Sequence, residues 1–337
     1  YNELPTAALV AKHIGSEHTE LLVKPDFTSL LPKMAWHLDE PFADSSAALT
    51  FLISEQASKH VKVALTGIGG DELFMGYPRY LGMRLLRYYR TLPLPLRRVA
   101  SAALSLLPQS DASGAASGRV KRFARGALLY PLDCYLSWVS FLPFAEKPLL
   151  YSEEFHAAAD GEEVFENHRA IFNAFPPELG DYRYPLLDIK TYLCDDLLMM
   201  GDKMSMASSL ELRVPFCTPG MLELALSLGP ERHLAGLKLK SFLKEAVAGW
   251  LPPELLKRRK QGFMLPLSRW LKEELREPLH DLLSERSVRN RGYFKPEAVS
   301  ALIGAHESGA ANNTDLLWAL MMLEQWHRTY TDGAFRD

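Results

Sequence analysis

The chain opens with apolar residues at helical spacing, followed by shorter apolar runs. The spacing predicts a first helix, ended by Gly15, whose apolar face consists of Leu4, Ala8, Ala11 and Ile14. Residues 21–23 predict a short strand. Residues 44–46, Asp-Ser-Ser, can cap a second helix, and the alternating residues 61–66 predict a second strand. This order of helices and strands predicts a doubly wound α/β domain.

The second predicted strand leads into a glycine turn with two adjacent acids, in the stretch VALTGIGGDELFMGY from Val63 to Tyr77. A turn between a strand and a helix lies at the carboxyl edge of a sheet, where open α/β proteins bind small ligands. Glu72 stands where a dinucleotide fingerprint needs its third glycine, and the chain has no P-loop motif. Two interpretations stay open: a ligand-binding turn, or a tight turn in which Asp71 caps the helix.

Beyond Tyr80 the pattern is helical, and no further strand is predicted. The small polar residues 109–118, QSDASGAASG, predict an exposed loop. Helical spacing predicts helices within residues 81–106, 183–200, 220–228, 238–249, 267–284 and 314–330.

Composition mainly excludes classes of protein. The 337 residues are 47% hydrophobic and 23% charged with a net charge of −3, which suits a globular protein and gives no support for a nucleic-acid partner. Three widely spaced cysteines indicate a reducing compartment rather than a disulfide or zinc framework. No apolar run reaches the roughly 18 residues of a membrane span, and no signal-peptide pattern opens the chain. We therefore expect a cytoplasmic protein with no membrane partner.

Five stretches of the chain, taken in order and spacing, resemble a single family. They are LDEPFADSSA from Leu38, LTGIGGDELFMGYPRY from Leu65, YLCDDLLMMGDKMSMASSLELRVPF from Tyr192, KSFLKEA from Lys240 and KRRKQGFMLPLSRW from Lys257. Together they resemble the synthetase domain of glutamine-hydrolysing asparagine synthetases, over nearly the whole chain.

The resemblance implies an α/β fold with a parallel sheet of the adenine-nucleotide α-hydrolase or ATP pyrophosphatase type, followed by a mostly helical region. Residues 1–80 would be the remaining part of the nucleotide-binding domain, and residues 81–337 the helical part. In the family, ATP adenylates the carboxylate of aspartate, and ammonia from glutamine displaces AMP. ATP and Mg²⁺ are thus the implied cofactors, because the phosphate charge must be neutralised. A homodimer is one candidate assembly.

The resemblance also implies site residues. Glu72 belongs to the family's acidic pair, and Lys260 matches a lysine that supports phosphate charge, a role suited to a flexible ammonium. A solvated surface lysine is the alternative for Lys260. The implied nucleotide-binding positions are Thr66, Gly67, Ile68, Gly69, Gly70 and Asp71.

Further residues fall near the implied cleft with less specificity. Lys240 matches a family lysine of the same neighbourhood. Asp195 and Asp202 are seven residues apart in a predicted helix, which places them near one face. For Glu211 and Arg213 a structural salt bridge is at least an equal alternative. No metal-ligating cluster is predicted.

The chain departs from the family in three respects. The S-G-G-L-D-S pyrophosphate loop and the glutaminase domain would lie upstream of Tyr1, so we expect the chain from Tyr1 alone not to release pyrophosphate from ATP. Ile68 stands where the family carries an acid, and isoleucine cannot accept a proton. An inactive binding homologue, a base from elsewhere and an amidotransferase for another carboxylic acid all stay open. If only a base is lost, Ile68→Glu is expected to raise amide formation from aspartate about 10²-fold.

Overall fold

The protein forms two compact units, each combining separate parts of the chain. Unit 1 consists of Tyr1–Asp26, Asp44–Leu81 and Pro176–Pro266, and unit 2 of Phe27–Ala43, Gly82–Phe175 and Leu267–Asp337. The computed structural model describes residues 4–20, 25–105, 116–143, 146–159, 163–257 and 265–333. The domain division into residues 1–80 and 81–337 stays a prediction.

Helices make up most of the described structure. Up to residue 159 they are α1 (Leu4–Ile14), α2 (Phe27–Leu38), α3 (Ser46–Ala57), α4 (Gly70–Leu73), α5 (Pro78–Tyr89), α6 (Leu94–Ser105), α7 (Ala116–Gly126), α8 (Pro131–Val139), α9 (Lys147–Leu150) and α10 (Glu153–Ala158). Beyond it they are α11 (Glu166–Ala174), α12 (Arg183–Lys190), α13 (Met199–Met206), α14 (Pro219–Leu228), α15 (Pro230–His233), α16 (Ser241–Ala246), α17 (Pro253–Lys257), α18 (Leu267–Trp270), α19 (Arg276–Leu282), α20 (Glu285–Arg291), α21 (Pro296–Glu307) and α22 (Thr314–Tyr330). Short 3₁₀ helices cover Glu163–Phe165, Pro177–Tyr182 and Pro215–Cys217, and a π-helix covers Tyr192–Leu198.

Unit 1 contains two short parallel strands, β1 (Val63–Leu65) and β2 (Glu211–Arg213). The amide of Thr66 extends the pairing by donating to the carbonyl of Arg213 at 2.9 Å. The expectation that no strand follows Tyr80 is wrong, because β2 lies far beyond it. Three residues with a charge at each end are too few for periodicity to reveal a strand.

The fold class is supported in its coarser form, a parallel pair of strands with a mostly helical remainder. In unit 1, α13 packs along α3. The unit also contains an apolar cluster near the glycine turn. Its buried members are Leu73, Phe74, Leu193 and Ala225. Because Leu73 ends α4, this cluster anchors the segment that follows the glycine turn.

Unit 2 is built on the packing of α2 against α22. Met34 of α2 and Trp318 of α22 are almost fully buried. The ring of Trp36 stacks on that of Tyr330, with centres 5.6 Å apart. The helix predicted over residues 314–330 is confirmed with its bounds, because a long periodic segment identifies its own buried face.

Other predicted elements have mixed outcomes. The first helix is confirmed as α1. α3 begins at the predicted cap, where the amide of Ser46 donates to Oδ1 of Asp44 at 2.8 Å. The predicted strand at residues 21–23 lies outside the described residues, as do residues 109–115 of the predicted loop. Residues 116–118 of that loop begin α7 instead.

Tryptophan is distributed unequally between the units. Trp250 is the one tryptophan of unit 1 and is 75% exposed. Unit 2 holds the other five, among them Trp318, which is 1% exposed. Across the part of the chain that the structure describes, no helix combines the length and apolar character that crossing a bilayer requires.

Candidate functional site

The turn between β1 and α4 is held in a conformation that depends on glycine. Gly69 has a φ of +90°, and a Cβ there would lie 2.5 Å from the sulfur of Cys217. The amide of Gly70 donates to the carbonyl of Gly67 at 3.2 Å and closes the turn. Gly69 itself occupies the cap position of α4, without a side-chain bond. The interpretation of Asp71 as the helix cap is therefore wrong.

One face of this turn is open, and the other is packed. Gly67 is exposed, and no atom lies within 4 Å of the position that its Cβ would take. Ile68 packs against the apolar cluster of unit 1, and its Cδ1 lies 3.1 Å from the Cβ position of Gly201 in α13. The side chain at the position where the resemblance implies an acid is thus part of the packing.

Asp71 forms an ion pair with Lys240. The Nζ of Lys240 lies 2.9 Å from Oδ1 of Asp71, and each side chain is about a quarter exposed. Lys240 takes a left-handed φ of 54° immediately before α16. A Cβ on Gly76 would stand 1.8 Å from the same Oδ1, so a glycine is needed beside the pair. The resemblance implies only the neighbourhood of Lys240, whereas the structure makes it the direct partner of Asp71.

Glu72 is enclosed by protein and is 1% exposed. The hydroxyl of Tyr77 donates a hydrogen bond to its carboxylate. Burial raises the pKa of Glu72, and the bond from Tyr77 offsets part of that rise. The predicted catalytic role of Glu72 therefore has a structural alternative, in which the carboxylate fixes α4 beneath the turn.

Arg79 is a central residue of the site that the resemblance does not single out. Its guanidinium lies 3.9 Å from the ring centre of Tyr77 and 5.1 Å from that of Tyr192. It donates to Asp188 at 2.8 Å, and the hydroxyl of Tyr80 donates to the same oxygen at 2.6 Å. The available signal is the Tyr-Pro-Arg-Tyr sequence that contains it, in which a cation stands between aromatic residues.

The π-helix brings a second acidic pair into unit 1. Burial raises the pKa of Asp196 to about 8, and the charge of Asp44 adds to the rise. A second negative charge nearby disfavours ionisation of Asp196, so Asp44 and burial act on its pKa in the same direction. The neighbouring Asp195 is exposed. Adjacent aspartates of one motif thus lie in opposite environments.

The remaining predicted residues contribute less. Nε of Arg213 lies 2.9 Å from Oε1 of Glu211 in an exposed pair, which confirms the structural salt bridge. Asp195 and Asp202 are both exposed. Lys260 lies outside the described residues, so its role stays a prediction. Among the residues that are described, no three His, Cys, Asp or Glu side chains form a group suited to a metal ion.

Comparison with known proteins identifies the family of the chain. Residues 1–328 match the family model described as Asparagine synthase. The chain is 27% identical to the glutamine-hydrolyzing asparagine synthetase 1 of Bacillus subtilis (strain 168), with 97% of this chain and 50% of that protein covered. It is 30% identical to a Mycobacterium tuberculosis (strain H37Rv) protein provisionally named a glutamine-hydrolyzing asparagine synthetase, with 99% and 50% covered.

A more distant relative carries another kind of name. The chain is 22% identical to Amidase chry2 of Gibberella zeae, with 84% of this chain and 45% of that protein covered. The chain spans about half the length of the curated relatives named here. Because the family model covers almost every residue, the chain belongs to the asparagine synthase family.

Proposed function

We propose that this protein is an AMP-forming, ATP-dependent amide ligase of the asparagine synthetase type. It would adenylate the side-chain carboxylate of aspartate and transfer ammonia derived from glutamine. Family membership supports the reaction class. The observation that carries the proposal is the glycine turn, which is open at Gly67 and flanked by the ion pair of Asp71 and Lys240.

The open side of the turn suits a nucleotide, because glycine lets a phosphate or ribose approach the backbone closely. The ammonium of Lys240 is a partly exposed cation that can support phosphate charge. Mg²⁺ is commonly held by one or two carboxylates together with waters and substrate phosphates. Asp71 fits that role, since its carboxylate is partly exposed beside the open turn. When bound, Mg²⁺ would neutralise phosphate charge.

The buried Glu72 and the half-buried Tyr77 and Arg79 would position the turn. Glu72 and Tyr77 are hydrogen-bonded, and Arg79 joins the ring of Tyr77 to the carboxylate of Asp188. All of these contacts are made between residues of the protein itself. They hold the start of α4 in one arrangement, which is the preorganisation that a charge-stabilising site requires.

The reaction imposes one further demand. A carboxylate oxygen of aspartate bonds to the α-phosphorus as the bond to pyrophosphate breaks, and ammonia then bonds to the acyl carbon as AMP leaves. The attacking nitrogen must lose a proton to a base. Ile68 cannot accept it, so in this proposal another group, or a water, takes the proton.

The test uses the full-length protein with ATP, Mg²⁺, aspartate and ammonium, and measures asparagine and AMP by mass spectrometry. We expect equal amounts of the two products. Lys240→Ala is expected to lower kcat/KM by about tenfold or more, because it removes a charge from the phosphate site. Lys238→Ala is the matched control, because Lys238 is an exposed lysine two residues away. If neither AMP nor asparagine forms in a folded protein, aspartate ligation is excluded.

A second candidate is an amidotransferase that activates another carboxylic acid, and Ile68 is the feature that favours it. A changed substrate would bring a different set of polar groups to the turn, where the family's acid is absent. Supplying a panel of carboxylic acids in place of aspartate separates the candidates by which acid stimulates pyrophosphate release. No stimulation by any acid would leave the inactive binding homologue as the remaining alternative.

A further inference from the structure

The part of unit 2 between Gly82 and Leu132 is strongly basic, although the whole chain has a net charge of −3. This segment contains nine Lys and Arg residues and a single acid, Asp111. Arg87 of α5, Arg98 of α6 and Arg122 of α7 are exposed. An excess of this size on a short stretch of helices favours an anionic partner.

The same helices expose apolar side chains at one connection. We call residues 85–99, which join the end of α5 to the start of α6, the α5–α6 tip. Val99 is 68% exposed, Tyr88 67% and Leu96 57%. The further exposed apolar residues of the tip are Leu85, Leu92 and Leu94. Six exposed apolar side chains thus lie within fifteen residues. On ordinary protein surfaces, exposed apolar residues are instead scattered singly.

At two positions the tip lacks the backbone N–H group that would resist transfer out of water. Its sequence Leu-Pro-Leu-Pro-Leu, from Leu92 to Leu96, includes two prolines, which have no N–H group. One of them, Pro95, stands in the first turn of α6, where N–H groups otherwise lack partners within the helix. The carbonyl of Pro93 accepts the amide of Arg97 at 3.1 Å. These features lower the cost of moving the connection between α5 and α6 into an apolar environment.

The tip is held on a defined base. The hydroxyl of Tyr89 donates to the carbonyl of Arg97 at 2.7 Å, which joins α5 to α6. The hydroxyl of Ser101 donates to the carbonyl of Ala124 at 2.9 Å, which joins α6 to α7. The exposed leucines and the exposed arginines thus belong to one connected group of helices.

We infer that the α5–α6 tip binds the surface of an anionic lipid bilayer, with its leucines in the interface and its arginines at the headgroups. Exposed apolar residues flanked by arginine are the composition of interfacial segments. Nucleic acid would neutralise the charge but leave the leucines in water. A second copy would bring like charges together. This inference departs from the sequence-based expectation of no membrane partner, and it is independent of the proposed function.

The test is flotation of the full-length protein with vesicles of phosphatidylcholine alone or in an equimolar mixture with phosphatidylglycerol. We expect binding to the anionic vesicles only. The paired change Arg87→Gln and Arg98→Gln is expected to weaken binding about tenfold or more. The paired change Leu94→Ser and Leu96→Ser is expected to weaken it to a similar extent.

The matched control combines Leu149→Ser with Arg286→Gln, two exposed residues of unit 2 outside the tip. This control is expected to bind as the wild type does, and gel filtration checks that every variant is folded. Equal binding to both kinds of vesicle, no binding to either, or equal effects of the tip and control changes would overturn the inference. Binding to heparin as tight as that to vesicles, and unchanged by the leucine substitutions, would instead assign the surface to an acidic macromolecule.

Discussion

The hydrogen bond from Tyr77 stabilises the charged form of the buried Glu72 carboxylate. Tyr77→Phe removes the hydrogen bond that lowers the pKa of Glu72, so that pKa rises further above its unfolded value of 4.5. A raised folded pKa stabilises the protein below the unfolded value, and this contribution is lost as pH rises. We expect the variant to lose about 1–3 kcal/mol of unfolding free energy at neutral pH and less below pH 4.5. Urea unfolding at both pH values measures the difference.

The exposed Tyr88 provides the control for this prediction. Tyr88→Phe removes a hydroxyl from a side chain that is 67% exposed, and we expect no measurable change at either pH. A loss for Tyr77→Phe that is the same at acid and neutral pH would contradict the assigned role of the Glu72 carboxylate.

Asp196 and Asp195 form a natural pair for a pH experiment. Burial raises the pKa of Asp196 from 3.8 to about 8, so its contribution to stability is greatest below pH 3.8 and is lost as pH rises through about 8. In this window the group lowers the unfolding free energy by up to about 1.4 kcal/mol per pH unit. We expect Asp196→Asn to flatten the pH dependence and Asp195→Asn to leave it unchanged. Identical slopes for the two variants in urea unfolding would count against the burial of Asp196.

Because Ile68 is packed, the Ile68→Glu substitution that is predicted to raise amide formation is also expected to lower the stability of the protein. A carboxylate would enter the apolar contact with Gly201, and we expect a loss of about 1–3 kcal/mol in unfolding free energy. Ile68→Met keeps an apolar side chain of similar volume and is expected to lose less than about 1.5 kcal/mol. The predicted gain in asparagine formation is then measured below the melting temperature of the variant. A glutamate variant as stable as the methionine variant would show that the position is not packed in solution.

At the scale of the element, the glycine turn contains two residues with opposite requirements. Gly69→Ala places a Cβ 2.5 Å from the sulfur of Cys217 at a positive φ, so we expect a loss of about 1–3 kcal/mol in stability. Gly67→Ala meets no atom within 4 Å and is expected to keep the wild-type melting temperature. If ATP lies on the open face, the Gly67 variant nevertheless binds ATP more weakly. Thermal melting and nucleotide titration of both variants check this, and the reverse ranking of stabilities would refute the turn geometry.

The elements differ in how far local sequence determines them. α1 and α22 have enough turns for apolar spacing to define a face, and both were predicted. β2 has three residues, and its pairing depends on β1, far away in the chain. The π-helix at Tyr192–Leu198 widens a segment whose spacing predicts an ordinary helix. The local sequence pattern therefore predicts long helices. Short elements form through contacts with residues that are distant in the chain, and the local pattern does not contain those contacts.

The candidate site shows the same limit. The residues from Thr66 to Asp71 could be located because a strand, a turn and a helix adjoin in the chain. Arg79 and Asp188 are 109 positions apart and meet only in the folded unit. No local pattern predicts such a pair, because its energy comes from tertiary contact rather than from spacing.

At the scale of the whole molecule, the family resemblance predicts that Lys260 supports phosphate charge during the reaction. Lys260→Ala in the full-length protein is expected to lower turnover about 10²-fold or more, because the ammonium would stabilise transition-state charge. Lys238→Ala again serves as the comparison. The measurement is the rate of AMP formation at saturating ATP, and an unchanged rate would leave Lys260 as a surface lysine.

The unequal distribution of tryptophan has an optical consequence. Indole emission depends on contact with water, and the indole of Trp250 is already largely in water while unit 1 is folded. Unfolding of unit 1 therefore changes the emission spectrum little, whereas unfolding of unit 2 shifts it to the red as Trp318 becomes solvated. A fluorescence melt of this protein is in effect a melt of unit 2, and circular dichroism is needed to follow the unit that carries the glycine turn.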